Sequence, residues 1–463
     1  MPSHSVNGRQ LLFSTLRHAE TRSVPWVPFA GVHAGRLKGY TAQEILQDGD
    51  KLFDSLLEVN RTYHPDGQPV VFDLQVEAEI LGCRLLWAEK APPSVASHPL
   101  EEQMSIPQRL PEKSDGRLPI ILTVMRRMKK EVGHQTALYG LVTGPFTLAS
   151  HLRGTEIFMD MFDHPEYLQE LVSFCSNVCM RMSDLYLEAG MDIIAVVDPL
   201  VSQISPRHFQ QFLSAPFKEI FNAIRAKKAF SAFFVCGDAT KNIEVMCQTG
   251  PDSLAVDENI NMVSARQITE EHHITLQGNI PLTSCMLLGS QPDNMKYVVD
   301  LLEKLAGSKL VIPNNLILSP GCDMPYDVPV DNVVGILQAV REPQSTRLML
   351  ANYQSQSIDL DGIDVPDYAH LEKPLMEVFT LDSATCPACG YMLLSAQRAA
   401  AELANQVDLL EYKITQPENI ARMRKMGVKA ILSGHLQEVI LDEIVINGKP
   451  VKELKFPNEK EEK

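Results

Sequence analysis

The sequence has little that would attach the chain to a membrane or to nucleic acid. No stretch approaches the roughly 18 uninterrupted apolar residues that a membrane-spanning helix needs. The N-terminal residues Met1 to Gln10 are polar, so a hydrophobic signal core is not expected. Positive charge is scarce, since 42 Lys and Arg stand against 58 Asp and Glu, a formal net charge of −16. General binders of nucleic acid or anionic membranes need basic patches, so neither partner is predicted.

A disulfide framework is missing as well. The nine cysteines are an odd number, and they are spread along 463 residues rather than clustered. This usage is typical of a reducing compartment, where cysteines serve as thiols, metal ligands or redox pairs. We therefore expect a cytoplasmic protein.

What the sequence does have is enough apolar material for a large core. Hydrophobic residues make up 45% of the chain and charged residues 22%, the balance of a globular protein. Up to residue 345, short apolar runs alternate with amphipathic stretches, as buried parallel strands alternate with helices. The count predicts a (β/α)8 TIM barrel over residues 1–345. The runs are Val27–Val32, Val70–Leu74, Ala137–Val142, Ile193–Val197, Phe230–Val235, Ser253–Val256, Ile274–Gln277 and Leu316–Leu318.

Polar residues directly after the predicted strands are the candidates for chemistry, because barrel enzymes work at the C-terminal rim of the strands. Two of them are thiols, Cys236 and Cys322, and several are carboxylates. Thiolate and carboxylate ligands with one open position form a catalytic zinc site, so zinc is expected at this mouth. The candidates selected in this way are Asp73, Asp198, Cys236, Asp257, Glu258, Asn279 and Cys322.

The remaining chain predicts a second, smaller domain. Residues 346–376 are polar and acidic and are interpreted as a linker. Over residues 377–463, a strand, the motif Cys386-Pro-Ala-Cys389 and a helix open a pattern typical of a thioredoxin-like α/β domain. Cys386 and Cys389 are the expected redox pair, because a helix N-terminus stabilises a thiolate. The proline usual before the facing strand is absent ahead of Ile444, so either disulfide exchange is weakened or the domain is structural.

The barrel segment resembles the uroporphyrinogen decarboxylase superfamily, and in particular its zinc-dependent, corrinoid-linked methyltransferases. The shared motifs are Glu77-Ala-Glu-Ile-Leu-Gly82, Gly144-Pro-Phe-Thr-Leu-Ala-Ser150, Val197-Asp-Pro199, Gln277-Gly-Asn279 and Ser319-Pro-Gly-Cys322. The decarboxylase signature contains Arg-Gln-Ala-Gly-Arg, and this chain has Val32 at the place of the first arginine. Porphyrinogen decarboxylation is therefore not expected. The resemblance implies that His33, Arg36 and Asn279 bind substrate.

The resemblance also implies a zinc site, with one departure. The methyltransferases carry His-x-Cys-Gly and a later Pro-Gly-Cys, and their His and two Cys bind zinc. This chain keeps Cys236 and Cys322 but has Phe234 in place of the histidine. Either a carboxylate replaces the missing ligand, with Glu258 or Asp198 as the candidates, or the metal is lost.

The expected function is methyl transfer between a small methylated substrate or thiol and a corrinoid protein. Cobalamin would arrive on that partner, since the chain has no Asp-x-His-x-x-Gly corrinoid motif. One alternative is a metal-free decarboxylase or lyase with Asp73 or Asp198 as general acid. Another is a non-catalytic redox sensor that binds a corrinoid or tetrapyrrole. The methyl donor, the direction of transfer and the oligomeric state, a homodimer included, are left open.

Overall fold

The computed structural model describes most of the chain and divides it into two compact units, Met1–Tyr353 and Gln354–Lys463. Each unit is described by itself. The predicted domain limits at residues 345 and 376 stay predictions. The described residues are 7–306, 314–354, 365–368, 370–380, 387–403, 406–413, 416–426, 443–446 and 449–450.

The first unit alternates strands with helices. Its strands are β1 (Gly67–Pro69), β2 (Leu85–Leu86), β3 (Ser94–Val95), β4 (Ala137–Thr143), β5 (Ile193–Val197), β6 (Phe230–Val235), β7 (Ser253–Val256), β8 (Thr275–Ile280) and β9 (Leu316–Pro320). Its helices are α1 (Gly8–Leu16), α2 (His33–Lys38), α3 (Ala42–Gln47), α4 (Gly49–Tyr63), α5 (Val76–Ile80), α6 (Leu118–Glu131), α7 (Pro145–Arg153), α8 (Ile157–Asp163), α9 (Pro165–Glu188), α10 (Pro206–His208), α11 (Ser214–Ala226), α12 (Ile243–Cys247), α13 (Met262–Glu271), α14 (Gln291–Ala306), α15 (Val330–Arg341) and α16 (Pro343–Met349). Short 3-10 or π turns cover Gly154–Glu156, Pro199–Gln203, Phe209–Leu213, Thr240–Asn242 and Leu282–Leu287.

One parallel sheet organises the described part of this unit. Its seven strands run in the order β1-β4-β5-β6-β7-β8-β9. The segment around Trp26 hydrogen-bonds to both edges, since the Val27 N–H donates to the Leu318 carbonyl and the Asp66 N–H donates to the Trp26 carbonyl, each at 2.9 Å. This segment therefore stands where an eighth strand would lie. The unit is an α/β fold on a parallel, barrel-like sheet, and β2 with β3 forms a separate antiparallel pair.

Six of the eight predicted apolar runs coincide with strands β4 to β9. The other two predictions were wrong. Val27–Val32 forms no strand and only follows the bridge at Trp26, and Val70–Leu74 follows strand β1 instead of forming it. The sequence of β1 is Gly-Gln-Pro and carries no apolar signal. Its Gln68 is nevertheless fully buried, because the side-chain amide bonds to Asn60 and to the Leu56 carbonyl.

The two faces of the sheet bury different side chains, because residues alternate along a strand. The inner face carries one cluster, which includes Tyr139, Leu141, Ile193, Ala195, Val197, Ala232, Phe234, Ala255 and Ile317. The outer face packs on helices, and Phe233 of β6 stacks on Phe217 of α11 at 4.2 Å between ring centroids. Full burial of such a side chain stabilises the fold by about 1.5–3 kcal/mol. Among the described residues, no helix is long and apolar enough to span a bilayer.

The second unit is built on a mixed sheet. Its strands are β10 (Leu375–Thr380), β11 (Asp408–Lys413), β12 (Glu443–Ile446) and β13 (Lys449–Pro450), and its helices are α17 (Pro387–Glu402) and α18 (Pro417–Lys425). The strand order is β11-β10-β12-β13. β10 is parallel to β11 and antiparallel to β12, which is antiparallel to β13. Val378 of β10 and Ala396 of α17 are buried in one cluster, so the helix covers the sheet.

Close packing around Gly67 gives a test of the sheet edge. A Cβ atom at this position would lie 2.7 Å from the Leu12 side chain and 2.7 Å from the Tyr139 ring. Gly67→Ala is therefore expected to lower the free energy of unfolding by about 1–3 kcal/mol. The matched control is Gly49→Ala, whose Cβ would come no closer than 3.2 Å to Ile120. Equal urea midpoints for the two variants would contradict the packing.

Candidate active site

Two thiols meet at the C-terminal ends of strands β6 and β9. Cys236 and Cys322 are 86 residues apart in the sequence, yet their Cα atoms lie 6.1 Å apart, and the structure joins the sulfurs as a disulfide. Both side chains are half-buried and pack against the inner-face cluster. The sheet thus brings together the two cysteines that the sequence predicted as metal ligands.

Phe234, at the position of the histidine that the resemblance implies, belongs to the inner-face cluster. Phe234 is fully buried, and its ring centroid lies 4.8 Å from that of Phe29 and 5.8 Å from that of Phe72. It points to the same side of β6 as Cys236, two residues further on. An apolar aromatic ring therefore occupies the position at which the resemblance implied a nitrogen ligand.

Glu258 lies in the loop after β7 and is buried. Its Oε2 accepts a hydrogen bond from the Leu282 N–H. Burial, together with the neighbouring Asp257 carboxylate, raises the pKa of Glu258 to about 8. A Cβ on Gly321 would lie 2.7 Å from the Glu258 backbone nitrogen, so the loops after β7 and β9 pack backbone against backbone. This places the Glu258 loop next to Cys322.

The donor set agrees only in part with a zinc site. Two adjacent thiols and a buried carboxyl are chemically suitable ligands. Within the residues that the structure describes, however, no three such groups stand together at metal-binding distances. A site built on Cys236, Cys322 and Glu258 needs the thiols reduced and the carboxyl turned towards them.

Asn279 holds the loop that carries Glu258. Its Nδ2 donates to the backbone carbonyls of Asp257 and Ile260, both at 2.8 Å. The side chain is fully buried at the end of β8. Asn279 therefore fixes the course of the loop after β7, and its predicted contact with substrate stays a prediction.

Asp198 stands at the end of β5 and caps the helix that follows β4. Its Oδ1 accepts hydrogen bonds from the Thr147 N–H at 3.0 Å and the Thr147 hydroxyl at 2.6 Å. Its Oδ2 accepts one from the Phe146 N–H at 2.9 Å. Burial raises the pKa of Asp198 to about 7 despite these bonds. Both oxygens are therefore engaged in holding the first turn of α7.

Asp73 belongs to a buried ion pair. Its Oδ2 lies 2.6 Å from the Arg117 guanidinium, which also binds Glu79 at 2.7 Å. The Arg117 guanidinium lies 5.0 Å from the Trp87 ring centroid. The carboxylate of Asp73 is therefore held by a cation, and its predicted role as a general acid stays a prediction.

His33 and Arg36 lie on α2 and make different contacts. The His33 Nε2 is 2.7 Å from the Tyr63 hydroxyl, and its Nδ1 is 3.0 Å from the Tyr326 carbonyl. Burial lowers the pKa of His33 to about 4, so its ring is neutral at pH 7. Arg36 forms a surface ion pair with Asp327 at 2.7 Å. Their assignment to substrate binding stays a prediction.

Three polar groups at the mouth were missed as site residues. Burial raises the pKa of Glu77 to about 7, although Glu77 accepts hydrogen bonds from the Thr143 N–H and hydroxyl. Asp323 accepts a hydrogen bond from the Gly31 N–H at 2.7 Å, and burial raises its pKa to about 8. Arg117 is the partner of Asp73. Glu77 and Asp323 stand in or beside the quoted motifs, which was the available signal, whereas nothing in the sequence pointed to Arg117.

The other cysteines fall into two groups. The five free cysteines with described side chains are all buried: Cys83, Cys175, Cys179, Cys247 and Cys285. Cys386 lies outside the described residues, and only the backbone of Cys389 is described, in the first turn of α17. The predicted redox pair therefore stays a prediction.

The profile of the uroporphyrinogen decarboxylase (URO-D) family matches residues 7–343. The chain belongs to this family. The methylcobamide:CoM methyltransferase MtbA of Methanosarcina acetivorans is 26% identical over 342 residues, which cover 72% of this chain and 97% of that protein. The uroporphyrinogen decarboxylase of Trichormus variabilis is 24% identical over 61% of this chain and 80% of its own length. A solved methyltransferase from Methanosarcina mazei shares the fold, with a TM-score of 0.65 and 21% identity over 73% of this chain and 98% of that one.

URO-D family members with different reactions thus resemble the chain to a similar degree. Methyltransferases and decarboxylases are 26% and 24% identical to it, respectively. Membership establishes an α/β enzyme fold of this superfamily, and the choice of reaction depends on the residues at the mouth.

The buried Glu77 gives a pH-dependent prediction. Its folded pKa of about 7 lies above its ordinary value of 4.5, so its contribution to stability is complete below pH 4.5 and is lost as the pH rises to about 7. Glu77→Gln cannot titrate. We expect the free energy of unfolding of this variant, relative to wild type, to rise over that pH window and to level off above it. Urea unfolding at a series of pH values measures the difference.

The control for this experiment is Glu219→Gln, at an exposed position on α11. Its difference from wild type should not change with pH over the same window. A pH-independent difference for Glu77→Gln would show that the carboxyl ionises normally in the folded protein.

Proposed function

We propose that the barrel unit is a corrinoid-dependent methyltransferase that moves a methyl group between a small methylated substrate or thiol and a corrinoid protein. The observation that carries the proposal is the meeting of Cys236 and Cys322 at the mouth of the sheet. The similarity to MtbA over 97% of its length supports it. Loss of the first signature arginine, at Val32, disfavours a polycarboxylate porphyrinogen as substrate.

The cysteines and Glu258 would hold zinc in this proposal. Zinc lowers the pKa of a bound thiol and so keeps a substrate thiolate available at neutral pH. Cys236 and Cys322, once reduced, supply two ligands from strand ends that the sheet holds 6.1 Å apart at Cα. Glu258 supplies the third ligand that Phe234 cannot, and Asn279 keeps its loop in place. Cobalamin would come with the corrinoid partner.

A metal-free decarboxylase or lyase is the second candidate, and one observation favours it. Phe234 fills the place of a metal ligand with an aromatic ring. The two predicted general acids are less suitable, because Asp73 is ion-paired with Arg117 and both oxygens of Asp198 bond to the start of α7. Methyl transfer is therefore the better supported reaction.

We further propose that residues 377–463 form a thioredoxin-like domain. The strand order β11-β10-β12-β13 supports this, with a parallel pair on one side and antiparallel strands on the other. The CxxC motif adjoins the first turn of α17, where a helix N-terminus favours a thiolate. The domain would exchange disulfides with other thiols.

Replacement of either cysteine tests the methyltransferase proposal. Cys236→Ala and Cys322→Ala, purified under reducing conditions, should lose the zinc of the wild type, about one per chain. The rate of methyl transfer from methylcobalamin to a thiol should fall by more than roughly 100-fold, because losing a residue that only supports a metal ligand can already cost that much. Elemental analysis and the cobalamin absorbance spectrum measure the two quantities. Cys247→Ala, a buried cysteine of α12, is the control and should keep both. Full activity in both single variants would refute the proposal.

Restoring the family histidine tests the third ligand. Without metal, Phe234→His should lower the free energy of unfolding by about 1–3 kcal/mol, because it places an unpaired polar group among Phe29 and Phe72. With zinc present, the imidazole becomes a ligand and the loss should be recovered. Thermal unfolding of the reduced protein with and without zinc measures this. Phe234→Leu stays apolar, so zinc should raise its unfolding temperature no more than that of the wild type. Equal increases for the two variants would contradict the ligand geometry.

A further inference from the structure

Cys236 and Cys322 differ in exposure from the other cysteines. Among those whose side chains the structure describes, they are half-buried and the remaining five are buried. Burial also raises the pKa of each of these five thiols, which keeps them protonated and unreactive. Among these seven cysteines with described side chains, oxidation and thiol exchange are therefore directed to the pair at the mouth.

The position of the pair suits two chemical states. A Cα separation of 6.1 Å lies within the range of roughly 4.4–6.8 Å found in disulfides. Both cysteines pack against the inner-face cluster of the same sheet. The two sulfurs therefore stay close whether or not they are bonded. A thiolate ligand requires a free sulfur, and a disulfide uses both sulfurs. One pair therefore cannot be a disulfide and two zinc ligands at the same time.

We propose that Cys236 and Cys322 form a reversible thiol switch, in which the disulfide closes the metal site and the dithiol opens it. The consequences for metal binding and catalysis rest on the proposed function, whereas the reversible disulfide itself does not. The structure holds the closed state. The half-burial of both side chains gives a small oxidant or a partner thiol access to the pair.

Both directions of the switch use known chemistry. Hydrogen peroxide takes two electrons from the two thiols, forms the sulfur–sulfur bond and leaves two molecules of water. In the opposite direction, one thiolate of a protein dithiol attacks one sulfur of the pair and forms a mixed disulfide. The second thiol of that dithiol then attacks the dithiol's own sulfur in the mixed disulfide and releases the bound cysteine. Both cysteines of the pair return as thiols, and the reductant leaves as a disulfide. The sequence carries a dithiol motif of this class in Cys386-Pro-Ala-Cys389.

The test is a redox titration of the full chain without corrinoid or methyl substrate. The protein is equilibrated in mixtures of reduced and oxidised dithiothreitol, alkylated and mapped by mass spectrometry. Cys236 and Cys322 should change together from unmodified to alkylated as the buffer becomes more reducing, and the change should reverse with hydrogen peroxide. Zinc added to the reduced protein should be released on oxidation, which a chelating dye measures.

Two variants separate the switch from other thiol chemistry. In Cys236→Ser, Cys322 should stay open to alkylation in all of the dithiothreitol mixtures, and Cys247→Ser should switch like the wild type. The proposal is overturned if the two cysteines react independently, or if native protein keeps the disulfide under fully reducing conditions. A protein that switches but transfers no methyl group refutes only the methyltransferase proposal, and one that transfers methyl groups without switching refutes only the switch.

Discussion

The need to satisfy backbone N–H groups at the C-terminal end of the parallel sheet shapes the mouth. Loops leave the strands there, and each buried backbone N–H group needs an acceptor. Carboxylates accept them: Asp198 bonds to the start of α7, Glu77 to Thr143, and Asp323 to Gly31. Since a carboxylate without a counter-ion is costly to bury, these groups bind protons more readily than free acids do. These carboxyls, of which the sequence predicted only Asp198 as a catalyst, thus hold the backbone at the mouth.

Arg117 shows the contrasting solution. It neutralises Asp73 and Glu79 from a position 44 residues after Asp73, at the start of α6. Asp73 has a cationic partner, whereas Asp198 has hydrogen bonds alone and burial raises its pKa to about 7. Two carboxyls that look alike at the ends of apolar runs therefore have different partners, which lie elsewhere in the chain.

The dependence of these carboxyls on remote partners limits how much of the site can be predicted from the sequence. The six strands β4 to β9 follow from their β-branched and aromatic runs. The position of Cys236 and Cys322 directly after predicted strands selected them as site residues, and the sheet brings them together. Strand β1 was not predicted because its burial depends on Gly67 and on the side-chain hydrogen bonds of Gln68, and neither residue gives an apolar pattern. The roles of Asp73 and Asp198 could not be derived, because they depend on which remote donors reach them. The substitution at Phe234 was visible, but not the ring cluster with Phe29 and Phe72 that it joins.

Gly321 sets how closely two loops of the mouth can approach each other. Its missing side chain lets the backbone before Cys322 touch the backbone of Glu258. A larger residue at this position would meet that backbone, so the loops that carry Cys322 and Glu258 would have to move apart. A substitution at Gly321 therefore calls for a compensating change in the loop after β7.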